Sequence, residues 1–292
     1  MKRVFKMSNA SGREYSLNQE NGVLAINPSG LGVEFSNTFT QVKANFRNDK
    51  VDLNQNEIPL SLLFGTRKED EAYQLYSDFI NFLNSPPFVL YYITDAGMNQ
   101  RECVLKKLSK SEKSFGGGML KEDFILEATT PWFTLESFHR QGISKKRGFG
   151  KIYDYRYSYR YNIDEFSAQN SIEIQNRSLY LSADDSYMSP TSIQIKGPVT
   201  NPAWNIYSNG SIVQSDRILD VVESGETLIV SSYAQDTKAI KILKDGTIMN
   251  VYPKMDHSKT NFVRLPVGKN ILVLDVGLAD FNIEWREEKV IV

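Results

Sequence analysis

The sequence predicts a mainly β protein with two domains and a single α-helix. Three observations support this: a run of tyrosines that alternate with polar residues, two strong hairpin turns, and one clear helix start. The chain has 292 residues, and one domain usually takes roughly 100–200 residues. We therefore expect an N-terminal domain at 1–140 and a C-terminal domain at 141–292.

Short apolar segments separated by turn residues predict strands in the first domain. The turn residues are Asn27-Pro-Ser-Gly30 and Arg47-Asn-Asp49, whose side chains and backbone preferences favour reversal of the chain. The predicted strands are 3–7, 22–26, 32–35, 41–46 and 58–64.

One segment of the first domain has the pattern of a helix. Thr66 and Glu69 have the spacing of a capping box, which satisfies free backbone donors at a helix start. Pro86-Pro87 then ends the helix, because proline cannot continue it. We therefore predict a helix within 66–85. Its apolar residues recur at steps of three and four: Ala72, Leu75, Tyr76, Phe79, Phe82 and Leu83.

A polar, glycine-rich hairpin tip is expected near the end of this domain. Strands are predicted at 88–94, 101–108 and 120–129, and residues 110–118 lie between the last two. The run Gly116-Gly117-Gly118 lacks the Gly-Lys-Ser/Thr ending of a phosphate-binding loop. We interpret it as a turn between strands.

Tyrosines at every second position predict a strand that presents all of its phenols on one face. Such a row either packs against another sheet or stacks on a saccharide, since each ring has an apolar body and a polar hydroxyl. Both interpretations remain open, and Trp204 belongs to the same hypothesis. The tyrosines are Tyr153, Tyr155, Tyr157, Tyr159 and Tyr161.

The C-terminal domain reads as a β-sandwich or barrel. Asn209-Gly210 and Asp245-Gly246 are dipeptides that tolerate the positive φ angles of tight hairpin turns. Short predicted strands surround them, and no helix is predicted after about residue 137. These strands are 192–196, 204–207, 211–214, 227–231, 239–243, 261–265, 270–276 and 282–286.

Few residues are suited to catalysis or to metal binding. His139 falls in a predicted linker and His257 in a predicted loop, so they form no triad. Cys103, the sole cysteine, reads as a buried structural thiol. Asp184-Asp185-Ser186 lacks the spacing of a calcium loop. We predict no enzyme, metal or cofactor, although a glycosidase needs only two distant carboxylates and stays a minor alternative.

The charge and hydropathy of the chain argue against two classes of partner. A formal net charge of −1 does not favour nucleic acid or an anionic membrane surface, which attract strongly basic proteins. The longest apolar runs, 60–64 and 271–274, are far shorter than the ~20 residues of a membrane span. We therefore expect neither nucleic-acid binding nor membrane insertion.

The order of these elements resembles the distal tail proteins of siphophages. The resemblance covers 1 to about 137: short strands, one amphipathic helix, a Pro-Pro stop, a long hairpin tip and then Thr130-Pro-Trp-Phe133. In that family the N-terminal domain, with its helix and extended hairpin, closes a hexameric ring. The resemblance implies the same ring here.

The second half resembles the galectin-like, carbohydrate-module-like β-sandwich of the same family. The segments that carry this resemblance are Gly197-Pro-Val-Thr-Asn-Pro-Ala-Trp204 and Phe262-Val-Arg-Leu-Pro-Val-Gly268, which leads into Asn270-Ile-Leu-Val-Leu274. Together the two resemblances cover nearly the whole chain.

The resemblance implies a structural virion protein, made in the host cytoplasm and placed at the phage tail tip. Its expected partners are further copies of itself, the tail tube protein, a hub or fibre protein, and receptor-binding or baseplate proteins. A carbohydrate-binding module that recognises host cell-wall saccharide is the alternative. By analogy we place the ring interface in the helix and at Lys110, Phe115, Gly116, Gly117 and Gly118.

Overall fold

The computed structural model describes residues 3–65, 69–111, 118–141, 171–179, 187–290 and 292. The described chain is mainly β with one α-helix, as predicted. Its contacts divide it into a first unit, 1–134 with 288–292, and a second unit, 135–287. The predicted single boundary after residue 140 differs from this division, because the last five residues belong with the first unit.

The first unit contains nine strands, one α-helix and one 3-10 turn. They are β1 (Arg3–Asn9), β2 (Glu14–Ser16), the turn Gln19–Asn21, β3 (Val23–Ile26), β4 (Phe35–Val42), β5 (Asn45–Leu53), β6 (Glu57–Phe64), α1 (Glu69–Leu83), β7 (Phe88–Thr94), β8 (Gly97–Leu108) and β9 (Leu120–Ala128).

An antiparallel sheet in the order β2-β1-β7-β8-β9-β6-β3 forms the body of the first unit. The backbone N–H of Leu17 donates to the carbonyl of Phe5, and its carbonyl accepts from the N–H of Ala25. Leu17 therefore joins the β1 end of the sheet to the β3 end, which satisfies backbone groups that an open edge would leave unpaired.

Helix α1 packs its apolar stripe into an aromatic core. Phe79 and Phe82 are fully buried, and the Phe79 ring meets the Phe124 ring edge to face at a centroid distance of 5.4 Å. The Phe79 ring also lies 5.1 Å from the Tyr15 ring and 5.8 Å from the Phe64 ring, centroid to centroid. Burying each such ring contributes about 1.5–3 kcal/mol. The helix prediction is confirmed over 69–83, and Thr66 of the capping box lies outside the described residues.

The chain enters α1 through a glycine that cannot be replaced freely. Gly65 has φ +90°, and a Cβ atom there would lie 2.9 Å from the Cβ of Ala72. Glycine both reaches this conformation without strain and lets the helix approach the end of β6.

Strands β4 and β5 form a two-stranded sheet of their own. The predicted strands 32–35 and 41–46 and the predicted turn 47–49 were therefore wrong. The chain reverses at Lys43, which has φ +56°, and not at Arg47-Asn-Asp49, which lies within β5. Neither Lys43 nor Ala44 is a typical turn residue, so composition gave no signal.

The second unit contains strands β10 to β22 and one 3-10 turn. They are β10 (Trp132–Arg140), which begins in the first unit, β11 (Ser171–Asn176), β12 (Met188–Lys196), β13 (Val199–Thr200), β14 (Ala203–Ser208), β15 (Ser211–Arg217), β16 (Val221–Val222), β17 (Thr227–Ser231), β18 (Lys238–Ile242), β19 (Ile248–Asn250), the turn Tyr252–Lys254, β20 (Arg264–Pro266), β21 (Gly268–Asp275) and β22 (Asp280–Lys289), which ends in the first unit.

Two sheets share one core in the second unit. One has the order β11-β21-β14-β15, and the other has the order β10-β22-β12-β17-β18-β19. Buried side chains from both sheets meet, including Trp204 and Leu272 from the first and Ile193 and Phe281 from the second. This packing of two inner faces is that of a β-sandwich.

Turn chemistry was predicted better than the linker. Asn209 and Gly210 have φ angles of +51° and +80° and join β14 to β15, and Gly246, with φ +84°, lies between β18 and β19. His139, in contrast, was predicted to lie in a linker but belongs to strand β10. Hydrogen bonds to neighbouring strands keep β10 extended, although its C-terminal half shows only a weak alternation of apolar and polar residues.

Candidate assembly surfaces

The β4–β5 hairpin presents an apolar face to solvent. The register places Phe39 opposite Asn48, Phe46 opposite Gln41, and Val51 opposite Asn37. Directly opposed residues lie on the same face of an antiparallel pair. Phe35 on this face is half-buried. Four other large apolar side chains of the face are exposed by 47 to 68% of their surface: Phe39, Phe46, Val51 and Leu53.

The other face of the same hairpin is polar. Ser36 lies opposite Asp52, Thr38 opposite Lys50, and Thr40 opposite Arg47. Two ion pairs join neighbouring side chains of β5, Lys50 to Asp52 at 2.6 Å and Arg47 to Asp49 at 2.7 Å. The hairpin is thus amphipathic. An exposed apolar face of this kind is typical of a surface that contacts another protein.

The hairpin joins the sheet through a short neck whose backbone is firmly held. The N–H of Asn54 donates to the carbonyl of Glu34 at 2.9 Å, and the Asn56 amide donates to the carbonyl of Gly32 at 2.6 Å. Gly30 has φ +71°, and a Cβ atom there would lie 1.8 Å from the Glu57 carbonyl oxygen. The neck therefore requires glycine at this position.

The Thr130-Pro-Trp-Phe133 motif fastens this neck to the sheet. The Trp132 indole Nε1 donates to the carbonyl of Leu31 at 3.1 Å, and its ring is fully buried. The Arg101 guanidinium lies 5.6 Å from the Trp132 ring centroid and donates to the carbonyl of Thr130 at 2.6 Å. The motif thus has a structural role that its sequence alone did not reveal.

The predicted interface at the glycine-rich hairpin tip lies only partly within the described residues. Lys110 and Gly118 are described, whereas Phe115, Gly116 and Gly117 are outside the described residues. The Lys110 ammonium lies 5.9 Å from the centroid of the Tyr73 ring on α1. The two segments proposed for the interface, the helix and the hairpin base, are therefore neighbours.

A buried carboxylate holds the base of this second hairpin. Glu122 is 1% exposed, and its Oε2 accepts from the Ser109 hydroxyl at 2.8 Å and from the Ser111 N–H at 2.7 Å. The Tyr76 hydroxyl of α1 donates to the Ser109 carbonyl at 3.0 Å. These bonds fix the hairpin base against the helix.

Helix α1 keeps a small apolar stripe on its outer side. Tyr73 and Ile80 are 51% and 40% exposed and lie seven residues apart, which places them on the same face. The first unit thus exposes two apolar surfaces, the apolar face of the β4–β5 hairpin and the outer stripe of α1.

Trp204 does not form a surface for sugar stacking. It is fully buried in the core of the second unit, so the stacking hypothesis is wrong for this residue, which packs between the two sheets. The tyrosines of the predicted strand lie outside the described residues: Tyr153, Tyr155, Tyr157, Tyr159 and Tyr161.

The candidate chemical groups within the described residues lie on separate parts of the fold. His139 lies on β10, and His257 lies beside the Tyr252 ring at a centroid distance of 5.4 Å. Cys103 is buried, and burial raises the pKa of its thiol to about 12. Among the described residues, no three His, Cys, Asp or Glu side chains are grouped to hold a metal. Asp184, Asp185 and Ser186 lie outside the described residues.

None of the helices in the described part of the chain has the length and apolar character needed to cross a membrane.

The exposed apolar face of the β4–β5 hairpin is the surface feature that sequence reasoning missed. Its signal was present, since Phe35 and Phe39 alternate with serine and threonine, and Val51 and Leu53 flank Asp52. Alternation of this kind predicts a strand with one apolar face. The alternation did not indicate that this face would pack against no other element of the described chain.

Comparisons with known proteins agree with this architecture. Residues 4–129 match the family model described as "Distal tail protein, N-terminal domain". A distal tail protein of Lactococcus phage p2 is 23% identical over 281 residues, 90% of each chain. The one of Lactococcus phage SK1 is 28% identical over 130 residues, 43% of this chain and 44% of the relative.

Solved structures show the same fold. A chain of the phage p2 baseplate in its activated conformation with calcium has a TM-score of 0.67 at 18% identity, and the match covers 100% of both chains. The Dit protein of phage SPP1, described as a hub of the adsorption apparatus, has a TM-score of 0.60 at 9% identity over 97% of this chain and 98% of its own.

Proposed function

We infer that this chain, which is a distal-tail-like protein of the siphophage type, is a structural hub protein of the phage tail tip. The family match over 4–129 and the baseplate and hub folds carry this inference. The matched proteins are structural components of tails, so we assign no enzymatic activity to this chain.

We propose further that the first unit forms a hexameric ring with other copies of itself. A ring needs two different surfaces on each subunit, one for each neighbour. The β4–β5 hairpin and the outer stripe of α1 with Lys110 are two such surfaces on one unit. The exposed apolar face of the hairpin is the observation that supports this proposal best, because burial of that face stabilises the assembled state.

The ring would join the tail tube protein on one side and the hub, fibre or baseplate proteins on the other. The second unit would then carry the receptor-binding proteins that attach the phage to its host. A two-sheet core of this kind is a stable support and needs no cofactor.

The molar mass of the purified protein by light scattering, with negative-stain images of the same fractions, tests the ring. We expect a mass of six chains and ring-shaped particles. In the double variant Phe39→Ser/Phe46→Ser we expect the mass to fall to that of one chain, with an unchanged circular dichroism spectrum.

Val42→Ser is the matched control, because Val42 is also 50% exposed but lies on the polar face of the same hairpin. The control should assemble like the unmodified protein. Equal loss of assembly in both variants, or rings that survive the double substitution, would contradict the role of the apolar face. A single-chain mass for the unmodified protein, both alone and with tail tubes, would contradict the ring itself.

A further inference from the structure

A shallow cavity lies on the outer face of the β11-β21-β14-β15 sheet. Its volume is about 200 Å³, and it lies between strands β11 and β21 and the β14–β15 turn. Sites that enclose drug-sized ligands take roughly 300–1,000 Å³. This cavity therefore suits a single ring-sized group that rests on the sheet.

Tyr207 and Ile271 line the cavity and belong to an apolar strip that crosses the sheet and continues to Ile212, outside the cavity. Tyr207 lies opposite Ile271 on one neighbouring strand and opposite Ile212 on the other. Ile271 and Ile212 are 48% and 54% exposed, and Tyr207 is half-buried between them. Because strands lie roughly 4.8 Å apart, the strip is about 10 Å long. Tyrosine at its centre offers an aromatic face with a polar tip.

Polar groups without net charge surround this strip. The Lys269 ammonium and the Glu173 carboxylate form an ion pair of 2.8 Å, and both side chains are mostly exposed. Asn209 lines the cavity from the turn. One cation, one anion and two amides, of Asn209 and Asn270, supply both donors and acceptors, and the two charges cancel. An anionic ligand would gain no attraction here.

We propose that this cavity binds a neutral saccharide. One pyranose ring lies with its C–H face on Tyr207 and Ile271, and its hydroxyl groups bond to Asn209, Glu173 and Lys269. A second sugar unit follows the strip toward Ile212. A peptide strand would instead seek a sheet edge, and β14 and β21 are both interior strands.

The test uses the full chain on an array of neutral oligosaccharides of glucose, galactose, rhamnose and N-acetylhexosamines, with a glycerol-phosphate polymer as the anionic comparison. We expect binding to at least one neutral saccharide. Calorimetric titration with that saccharide should show affinity about tenfold lower for Tyr207→Ala.

Asn209→Gly gives a second variant that keeps the turn, because glycine readily adopts the φ of +51° found there. It should also weaken binding. Asn201→Gly is its matched control: Asn201 has φ +49°, precedes the same strand β14 and does not line the cavity. Its affinity should be unchanged.

No binding to any neutral saccharide, binding to the glycerol-phosphate polymer alone, or binding that persists in both cavity variants would overturn the proposal. None of these results depends on ring formation, so the saccharide site and the hub role are tested separately.

Discussion

The β4–β5 and β14–β15 hairpins have opposite relations to the rest of the chain. The inner side chains of β14, Trp204 and Ile206, are fully buried in the core of their own unit. On β4–β5 the large apolar side chains are about half exposed or more, Phe46 by 68%. A hairpin that packs on its own core contributes to folding, whereas one that exposes its apolar face is suited to assembly.

The largest expected difference between the two hairpins is in stability. Trp204→Ala should lower the free energy of unfolding by about 3–5 kcal/mol, because it removes a buried indole and leaves a cavity. Phe39→Ala should change that free energy by less than about 0.5 kcal/mol, because its ring is 55% exposed. Urea titration followed by circular dichroism measures both.

Trp204→Phe refines this comparison. The Trp204 Nε1 is buried and has no hydrogen-bond acceptor among the described residues. Phenylalanine therefore loses packing but no hydrogen bond, and should cost clearly less than alanine. Comparable losses for Phe39→Ala and Trp204→Ala in the monomeric protein would show that both hairpins belong to a folding core.

The second difference is in the response to pH. Burial raises the pKa of Asp216 on β15 to about 7, although the N–H groups of Arg217 and Phe262, which donate to its carboxylate, lower it. The folded state therefore holds this proton more tightly than the unfolded state. The protonated Asp216 carboxyl therefore stabilises the folded state. This contribution to the unfolding free energy is fully present below the unfolded pKa of 3.8 and is lost as the pH rises through about 7.

Between pH 4.5 and pH 8 we expect this one group to lower the unfolding free energy by about 3 kcal/mol. Urea titrations at the two pH values measure the change, and Asp216→Asn should remove most of it. Asp49 on β5 provides the contrast: hydrogen bonds from Thr40 and Arg47 hold its pKa below the usual value, so it stays ionised over this range. An unchanged pH dependence in Asp216→Asn would contradict the assignment.

The smallest expected effects are at the two turns. Lys43 adopts φ +56°, a conformation that costs a residue with a side chain about 1 kcal/mol, so Lys43→Gly should slow amide hydrogen exchange in β4 and β5 about twofold or more. Asn209→Ala should speed exchange in β14 and β15, because alanine tolerates that backbone less well than asparagine. Unchanged exchange rates in both variants would mean that the positive φ of these two turn residues does not affect the stability of either hairpin.

Local signals in the sequence predicted those parts of the fold that local chemistry decides. The helix was found because a capping pattern, an apolar stripe and Pro86-Pro87 agree, and the β14–β15 turn was found because Asn209-Gly210 favours positive φ. The siphophage resemblance of 1–137 was also supported, since the family match covers 4–129.

Long-range pairing decided the remainder. Lys43-Ala44 has no turn chemistry, so the β4–β5 hairpin was divided wrongly, and β10 is held by sheet partners more than by its own pattern. Whether Trp204 packs or binds sugar depends on its burial between two sheets, which one strand cannot reveal. The cavity combines Glu173, Tyr207 and Lys269 from three strands distant in sequence.

The neck of the β4–β5 hairpin would allow the hairpin to be replaced by another of different length or sequence. The side chains of Trp132 and Asn56 donate hydrogen bonds to the backbone carbonyls of Leu31 and Gly32. These hydrogen bonds do not depend on any side chain of the hairpin beyond the neck. The length and sequence of the β4–β5 hairpin between residues 35 and 53 can therefore change during evolution without a change in the fold of the first unit. A foreign hairpin could be grafted between residues 35 and 53 in the same way.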